Sequence, residues 1–267
     1  MKIFKIKPEI LFLLLIGMCA IFAPVLIKTK SIGALIAPHA LLIVIGGTLC
    51  AGCIGFSTKE IFRAFVSLKS LFFKKDREEI LYIADELVEM AKISRANGVL
   101  ALREYRDYIR HPFLLNALNC ALEENDTKTL EENLRLMSFL ENKNDFKNVE
   151  IFEELGGYAP TFGILGAIIG LIQISTVNTQ PQALLSGIAT AFIATVYGVG
   201  SANLIFLPVA QKLKNMLEEK LFEHEVIISG ILDIANMQSS VVVSEKLNKI
   251  LVKNEIQNKG RVIPFAA

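Results

Sequence analysis

Four long stretches of this sequence contain no Asp, Glu, Lys or Arg, and they limit the possible folds more than any other feature. They cover residues 10–27, 34–56, 158–177 and 186–209. About 20 apolar residues suffice to carry a helix across the hydrocarbon core of a membrane, and a helix satisfies its own backbone polar groups there. In a soluble domain the apolar residues would instead be spread at amphipathic spacing. We therefore predict an integral membrane protein with four transmembrane helices.

The chain between the second and third runs has a different composition. Charged residues are frequent in residues 57–156, and apolar residues recur at helical spacing. One predicted face is formed by Ile80, Ile83, Ala84, Leu87, Val88 and Ala91, with Glu86, Glu89 and Lys92 off that face. The pairs His111-Pro112 and Asn125-Asp126 are the predicted helix breaks. Strand-like alternation is absent from this part of the sequence, so the predicted fold class is an all-α membrane protein with a large helical domain after the second span and a helical tail.

Basic residues indicate the orientation of the spans. Lysines and arginines are enriched in short cytoplasmic flanks of membrane proteins. The proposed inner ends carry Lys2, Lys5, Lys7, Lys59, Arg63, Lys69, Lys212 and Lys214, whereas the outer loops hold only Lys28 and Lys30. We predict that both termini are cytoplasmic in the inner membrane. The predicted divisions are lipid-facing spans in 1–56, a cytoplasmic domain in 57–156, an inner pair of spans in 157–209 and a cytoplasmic tail in 210–267.

The third and fourth runs differ from the first two in their small and hydroxyl residues. The third has Gly163, Gly166 and Gly170 at spacings of three and four, and the fourth contains Thr190, Thr195, Tyr197, Gly198 and Gly200. Small residues on one face allow two helix backbones to approach closely. Hydroxyl groups require hydrogen-bond partners in hydrocarbon. Tight helix packing and the lining of an ion pathway are both compatible with this pattern.

None of the four runs contains an ionisable residue of the kind that carries ions. Ion-translocating proteins usually hold such a residue within the membrane, where it binds a proton or pairs with a cation. If this chain helps to move ions, a second chain must supply the carboxylate. The sequence therefore predicts a membrane partner.

Other functional classes find little support in the sequence. It shows no nucleophile–base pair, no His/Cys set at metal-ligand spacing and no phosphate loop, so we expect neither an enzyme nor a cofactor or metal site. Cys50 and Cys53 form a C-x-x-C, but in a hydrophobic run without the flanking strand of a redox motif. A formal net charge of +1 disfavours a nucleic-acid partner.

Residues 156–172 (GGYAPTFGILGAIIGLI) and 189–210 (ATAFIATVYGVGSANLIFLPVA) resemble the paired C-terminal spans of the MotA/TolQ/ExbB proton channel family. The predicted two additional N-terminal spans and the large central domain resemble the MotA/PomA branch, whose members are flagellar stator subunits, because TolQ and ExbB have three spans. Residues 41–61 and 93–105 also look like that branch. A TolQ/ExbB-like engine for an envelope complex and a non-conducting scaffold are the alternatives.

The resemblance implies a homopentamer that encloses the helices of two MotB-type single-span chains, each bearing a membrane aspartate, and that turns against the rotor protein FliG. By motif, Pro160 and Pro208 match functional prolines at the cytoplasmic ends of the inner spans. Arg95 matches an arginine that faces charged residues of FliG. In the family, a motif LALE usually places a glutamate eight residues after this arginine. This chain has LALR there, which ends in Arg103 and is followed by Glu104.

The resemblance also implies which ion is transported. Thr195 matches the fourth-span threonine beside the ion path. Sodium-driven relatives resemble one another in having a second threonine in the third span, where this chain has Ala167, and Thr161 does not obviously replace it. Fewer oxygen ligands disfavour sodium more than they hinder proton transfer. We predict a proton-driven stator subunit, with a sodium-driven PomA-type stator as the alternative.

Overall fold

The structure is a computed structural model, and it describes Ile16 and residues 37–72, 78–124, 126–175 and 181–260. The predicted first span, residues 10–27, lies outside the described residues except for Ile16. The described residues are almost all helical and contain no strand, which confirms the all-α prediction. Among the described residues, three helical stretches are long and apolar enough to cross a membrane, within Pro38–Gly55, Thr127–Ser175 and Gly187–Ala235.

The second predicted span is the helix that we call α1, Pro38–Gly55. Pro38 lies in its first turn, where the missing N–H has no intrahelical partner to lose. A π-helical turn, Leu42–Gly46, interrupts the α-helical ladder. Phe56 is extended, and Ser57 then caps helix α2, Thr58–Ser67, in a capping box with Glu60. Helix α1 thus ends just before the charged central segment of the chain begins.

The central part of the chain forms helices α3 and α4. Helix α3 is Glu78–Asn97 and ends at Gly98, whose φ of 82° suits glycine. Two 3₁₀ turns follow, Val99–Arg103 and Arg106–Tyr108. Helix α4 is Pro112–Glu123, and its N-cap is His111. The predicted break at His111-Pro112 is therefore confirmed.

Helix α5, Thr127–Ser175, contains 49 residues. Asp126 precedes it, and its Oδ2 accepts hydrogen bonds from the N–H (3.0 Å) and hydroxyl (2.7 Å) of Thr129. This capping agrees with the predicted break at Asn125-Asp126, although Asn125 lies outside the described residues. The charged residues before 157 and the apolar residues after it thus belong to one uninterrupted helix.

The remaining helices are α6, Pro181–Ser201, a π-helical turn, Ala202–Phe206, α7, Leu207–Ala235, and α8, Ser240–Gly260. The chain divides into two compact units. The first comprises residues 1–74 and 144–216, and the second comprises residues 75–143 and 217–267. Helices α5 and α7 contribute residues to both units.

The described residues of the second unit form an apolar core from α3, α4, the start of α5, the end of α7 and α8. Its largest fully buried side chains include Ile83, Leu87, Met90, Phe113 and Leu134. Ile83, Leu87 and Ala91 of the predicted α3 face are buried, which confirms the helical spacing.

The prediction that Glu86 lies off the buried face of α3 is wrong. Its side chain is buried, with only 6% of the residue exposed. It lies three residues after Ile83 and four before Met90, so it shares the buried side of α3 with them. Its Oε2 has no hydrogen-bond partner among the described residues. Burial raises the pKa of the Glu86 carboxyl, and this outweighs the opposing influence of His111 and Arg110.

Candidate functional site

Helices α5 and α6 pack with their backbones in contact. A Cβ atom added to Gly198 would lie 2.5 Å from the carbonyl oxygen of Ala159 and 2.8 Å from the Cα of Gly163. A Cβ on Gly163 would in turn lie 3.0 Å from the carbonyl oxygen of Ala194. Glycine is therefore required at this crossing for steric reasons. The structure thus shows tight helix packing, one of the two interpretations that the glycine spacing allowed.

The contacts along the two helices show that they run antiparallel. Gly166 faces Ala194, where an added Cβ would approach the Ala194 Cβ to 3.0 Å. Gly170 faces Ala191 in the same way, at 3.2 Å. The contacting residues thus have decreasing numbers along α6 as their numbers increase along α5.

This packing brings two of the predicted ion-pathway residues together. Ala167 follows Gly166, and Thr195 follows Ala194, so both lie at the same level of the pair. Successive residues of a right-handed helix are rotated by about 100° about the helix axis. Because α5 and α6 run in opposite directions, this rotation places Ala167 and Thr195 on the same side of the pair. Both are half-buried. One side of the α5–α6 crossing therefore presents one hydroxyl group, from Thr195, and one methyl group, from Ala167.

Thr161 does not join this arrangement. It is exposed, and its hydroxyl donates a 2.6 Å hydrogen bond to the carbonyl of Tyr158 on the preceding turn of α5. Six residues separate it from Ala167, which is roughly 9 Å along the helix and about 120° around it. The structure gives Thr161 a local backbone partner.

A contact that the sequence did not predict ties α1 to α6. The hydroxyl of Tyr197 accepts a 3.2 Å hydrogen bond from the N–H of Ala37, the N-cap residue of α1. Ala40 and Val44 pack with Ala194 in a small buried cluster beside it. Gly166 also approaches Ile43, with 3.4 Å between an added Cβ and Cγ2. One face of α1 is therefore packed on the inner pair, while Leu42 and Ile54 on its surface are exposed.

The two prolines lie where the helical hydrogen-bond ladder is broken. Pro160 is the third residue of the uncharged run 158–177, but the structure places it in the interior of α5. It therefore has no N–H for the carbonyl of Gly156, and its ring favours a kink. Pro208 is the second residue of α7. It lies two residues after the π-helical turn, which is closed by a bond from the N–H of Leu207 to the carbonyl of Ala202. The extra residue in that wider turn accommodates the proline ring.

The predicted rotor-contact residues all lie in the second unit. Arg103 ends the first 3₁₀ turn, and Glu104 follows it. Both are exposed, and their side chains make no hydrogen bond or ion pair within the described part of the chain. Arg95, on the last turn of α3, is exposed but has a partner, since its Nη1 donates a 2.6 Å hydrogen bond to the carbonyl of Met237.

The same unit contains a buried polar cluster that the sequence did not reveal. The Nδ1 of His111 accepts from the N–H of Leu114 at 3.3 Å, which leaves its Nε2 to donate to Glu223 at 2.7 Å. The ring of His224 stacks on Phe113 with centroids 3.6 Å apart, and its Nδ1 lies 3.0 Å from the hydroxyl of Ser138. Apart from the local bond between His111 and Leu114, more than 80 residues separate the partners along the chain, so no local pattern could indicate these contacts.

The comparisons with known proteins agree with this architecture. A sequence profile of the MotA/TolQ/ExbB proton channel family matches residues 106–225. The motility protein A of Bacillus subtilis (strain 168) is 30% identical over 235 residues, which are 88% of this chain and 87% of that protein. The chain belongs to the MotA/TolQ/ExbB proton channel family.

Two further matches lie in the motility branch of that family. The chemotaxis protein PomA of Vibrio alginolyticus is 27% identical over 89% of this chain and 92% of its own length. A chain in the structure of the flagellar MotAB stator complex from Bacillus subtilis has a TM-score of 0.80 with 28% identity, and the match covers 94% of this chain and 98% of that one.

Proposed function

We propose that this chain is the stator subunit of a flagellar motor, which couples ion flow across the cytoplasmic membrane to torque on the rotor. The observation that carries the proposal is similarity in both sequence and fold, over nearly the whole length, to motility protein A and to a MotAB stator chain. The packed inner pair adds physical support, because it combines a rigid glycine contact with a hydroxyl-bearing side.

The ion pathway requires a second chain. Residues 158–177 and 186–209 contain no carboxylate, so this chain cannot bind the transported ion through a side-chain charge of its own. A MotB-type single-span subunit would supply the membrane aspartate, and five copies of this chain would surround two such subunits. The side of the pair that bears Thr195 and Ala167 is the surface we assign to that partner and the ion.

We assign proton transport to the complex because of the pairing of Thr195 with Ala167. Sodium must exchange its water shell for several oxygen ligands, whereas a proton requires a carboxylate and a hydrogen-bonded route. Thr195 and Ala167 lie at the same level on this side of the pair, and only Thr195 carries a hydroxyl group. The hydroxyl of Thr161 is bonded to its own helix. This arrangement favours protons over sodium.

The rotor contact belongs to the cytoplasmic domain in this proposal. Both termini and residues 57–156 lie on the cytoplasmic side, and the exposed Arg103 and Glu104, with Arg95, face the rotor protein FliG. Because Arg103 occupies the position where the family usually has glutamate, Glu104 is the acidic group we assign to that contact.

Functional complementation tests the proposal directly. The gene should be co-expressed with that of its MotB-type partner in a flagellated host that lacks its own stator. We expect swimming to be restored only when both chains are present and the partner keeps its membrane aspartate. Paralysed cells in which both chains reach the membrane and form a complex would contradict the stator function.

A further inference from the structure

The end of helix α7 is an unusual turn. The N–H of Gln238 bonds to the carbonyl of Asp233, and the N–H of Met237 bonds to that of Ile234, each at 3.0 Å. These two bonds define a Schellman motif, in which the residue at the Met237 position takes a left-handed conformation and is usually glycine. Met237 has a φ of 54°, and it is the one non-glycine residue with positive φ in the described part of the chain. A side chain at that position carries a steric cost.

Two consecutive residues of α3 bind this turn from outside. The hydroxyl of Ser94, which is buried, donates to the carbonyl of Ile234 at 3.3 Å. The guanidinium of Arg95 donates to the carbonyl of Met237 at 2.6 Å. A charged donor makes a stronger hydrogen bond to a carbonyl than a neutral donor does. The left-handed turn is thus held by α3, and Arg95 bonds directly to the residue in the strained conformation.

The turn determines where α8 begins. Ser239 follows it, and its hydroxyl accepts a 3.4 Å hydrogen bond from the N–H of Val242 in the first turn of α8. Val243 and Leu247 of α8 are buried in the core of the same unit. The conformation at Met237 therefore sets the position from which α8 enters that core.

We propose that Arg95 is a positioning residue for torque generation: its guanidinium secures the left-handed turn at Met237 and with it the start of α8, and its contribution to motility depends on this hydrogen bond rather than on a free positive charge offered to the rotor. The inference revises the part that Arg95 plays in the rotor contact assigned above: Arg95 lies in that region but acts by positioning α8, and Arg103 and Glu104 supply the charges. It rests on the proposed function for its motility readout. Its structural readout does not require a rotor.

A pair of substitutions within the chain separates the two roles. Arg95→Gln removes the charged donor, and Met237→Gly removes the steric cost that the donor offsets. We expect Arg95→Gln to reduce swimming and the double variant Arg95→Gln/Met237→Gly to restore most of it. A lost charge contact with the rotor cannot be restored by a glycine in this turn, so restoration identifies the positioning role.

Hydrogen exchange on the purified complex with its partner chain provides the second readout. Loss of one charge-assisted hydrogen bond should speed exchange at residues 236–240 by about tenfold in Arg95→Gln, and Met237→Gly should reverse that change. Lys92→Gln is the matched control. It removes a positive charge from the same helix, and Lys92 pairs with Glu89 in an exposed contact. It should change neither readout.

Three outcomes would overturn the inference. The first is an Arg95→Gln strain that swims like the wild type. The second is a defect that Met237→Gly leaves in place but a charge change on FliG restores. The third is unchanged exchange at residues 236–240 in Arg95→Gln. None of these outcomes bears on whether the complex drives a flagellum, which the complementation of the unsubstituted chain decides.

Discussion

Gly156 of α5 packs against Leu207 so closely that an added Cβ would lie 2.5 Å from the Leu207 Cδ2. The carbonyl of Gly156 is the one that Pro160 leaves without its helical donor, and Leu207 is the residue before Pro208. The two breaks in the hydrogen-bond ladders are therefore joined by a direct contact between the helices. A bend at one proline would therefore displace the helix that contains the other.

Replacing either proline with leucine should reduce torque more than assembly. In Pro160→Leu, the new N–H can bond to the carbonyl of Gly156, which straightens and stiffens α5. We expect near-normal recovery of the complex with its partner chain and loss of swimming, and the same for Pro208→Leu. Ile205→Leu, at an exposed position beside Pro208, is the control. Normal swimming in both proline variants would contradict the flexing role.

Gly198→Ala should disrupt the contact between α5 and α6. The new methyl group would lie 2.5 Å from a backbone oxygen of Ala159, and backbone atoms cannot move aside as a flexible side chain can. Overpacking of this kind typically costs about 1–3 kcal/mol. The unfolding midpoint of the detergent-solubilised complex should fall, and motility should be lost. Gly200→Ala, where an added Cβ meets nothing within 4 Å, is the matched control. Equal midpoints in the two variants would count against the packing argument.

The orientation of the chain can be tested by labelling single cysteines in a background without the four native ones. An impermeant thiol reagent added to intact cells should reach Gln180→Cys, which lies between the two inner spans. It should not reach Lys143→Cys, which lies in the charged part of α5 that we place in the cytoplasm. Permeabilised cells provide the control for reactivity. External labelling of Lys143→Cys would show that the domain is on the other side of the membrane.

Swimming should depend on protons. With Thr195 as the single hydroxyl beside Ala167, the complex lacks the second side-chain ligand that we associate with sodium selectivity. We expect swimming speed to be constant as external sodium is varied at constant ionic strength and to collapse when a protonophore is added. Speed that rises with sodium and survives the protonophore would identify a sodium-driven stator.

Glu86→Gln should stabilise the complex at neutral pH. The pKa of Glu86 is raised by burial, so the folded state favours the protonated carboxyl, and the charged form opposes folding above that raised pKa. The stability difference between the glutamine variant and the wild type should be largest at neutral pH. It should shrink as pH falls through the raised pKa toward the ordinary glutamate value of about 4.3.

The unfolding midpoint of the complex, measured against pH, checks this expectation. Glu89→Gln is the control on the same helix, because Glu89 is exposed and pairs with Lys92. A wild type that matches or exceeds the glutamine variant at neutral pH would show that the Glu86 carboxylate finds compensation in the assembled complex.

The sequence by itself determined the class of the protein and most of its helices. Uncharged runs must enter hydrocarbon as helices, because no other local structure satisfies the backbone there. The turn chemistry at His111-Pro112 likewise depends only on neighbouring residues, and the structure places a helix start there. The glycines of the third and fourth runs indicated close packing in the same way. A glycine has no side chain, and this local property can be read from the sequence alone.

Tertiary structure alone decided which groups meet. Spacing within α3 placed Glu86 off the buried face, but the elements packed around that helix bury more of its circumference than one face. Sequence placed Pro160 near the start of a span, whereas the charged segment before it is helical as well and makes the proline internal. The bond from Arg95 to Met237 joins residues 142 positions apart. Such contacts depend on how separate helices pack, and packing is a property of the whole chain rather than of any segment of it.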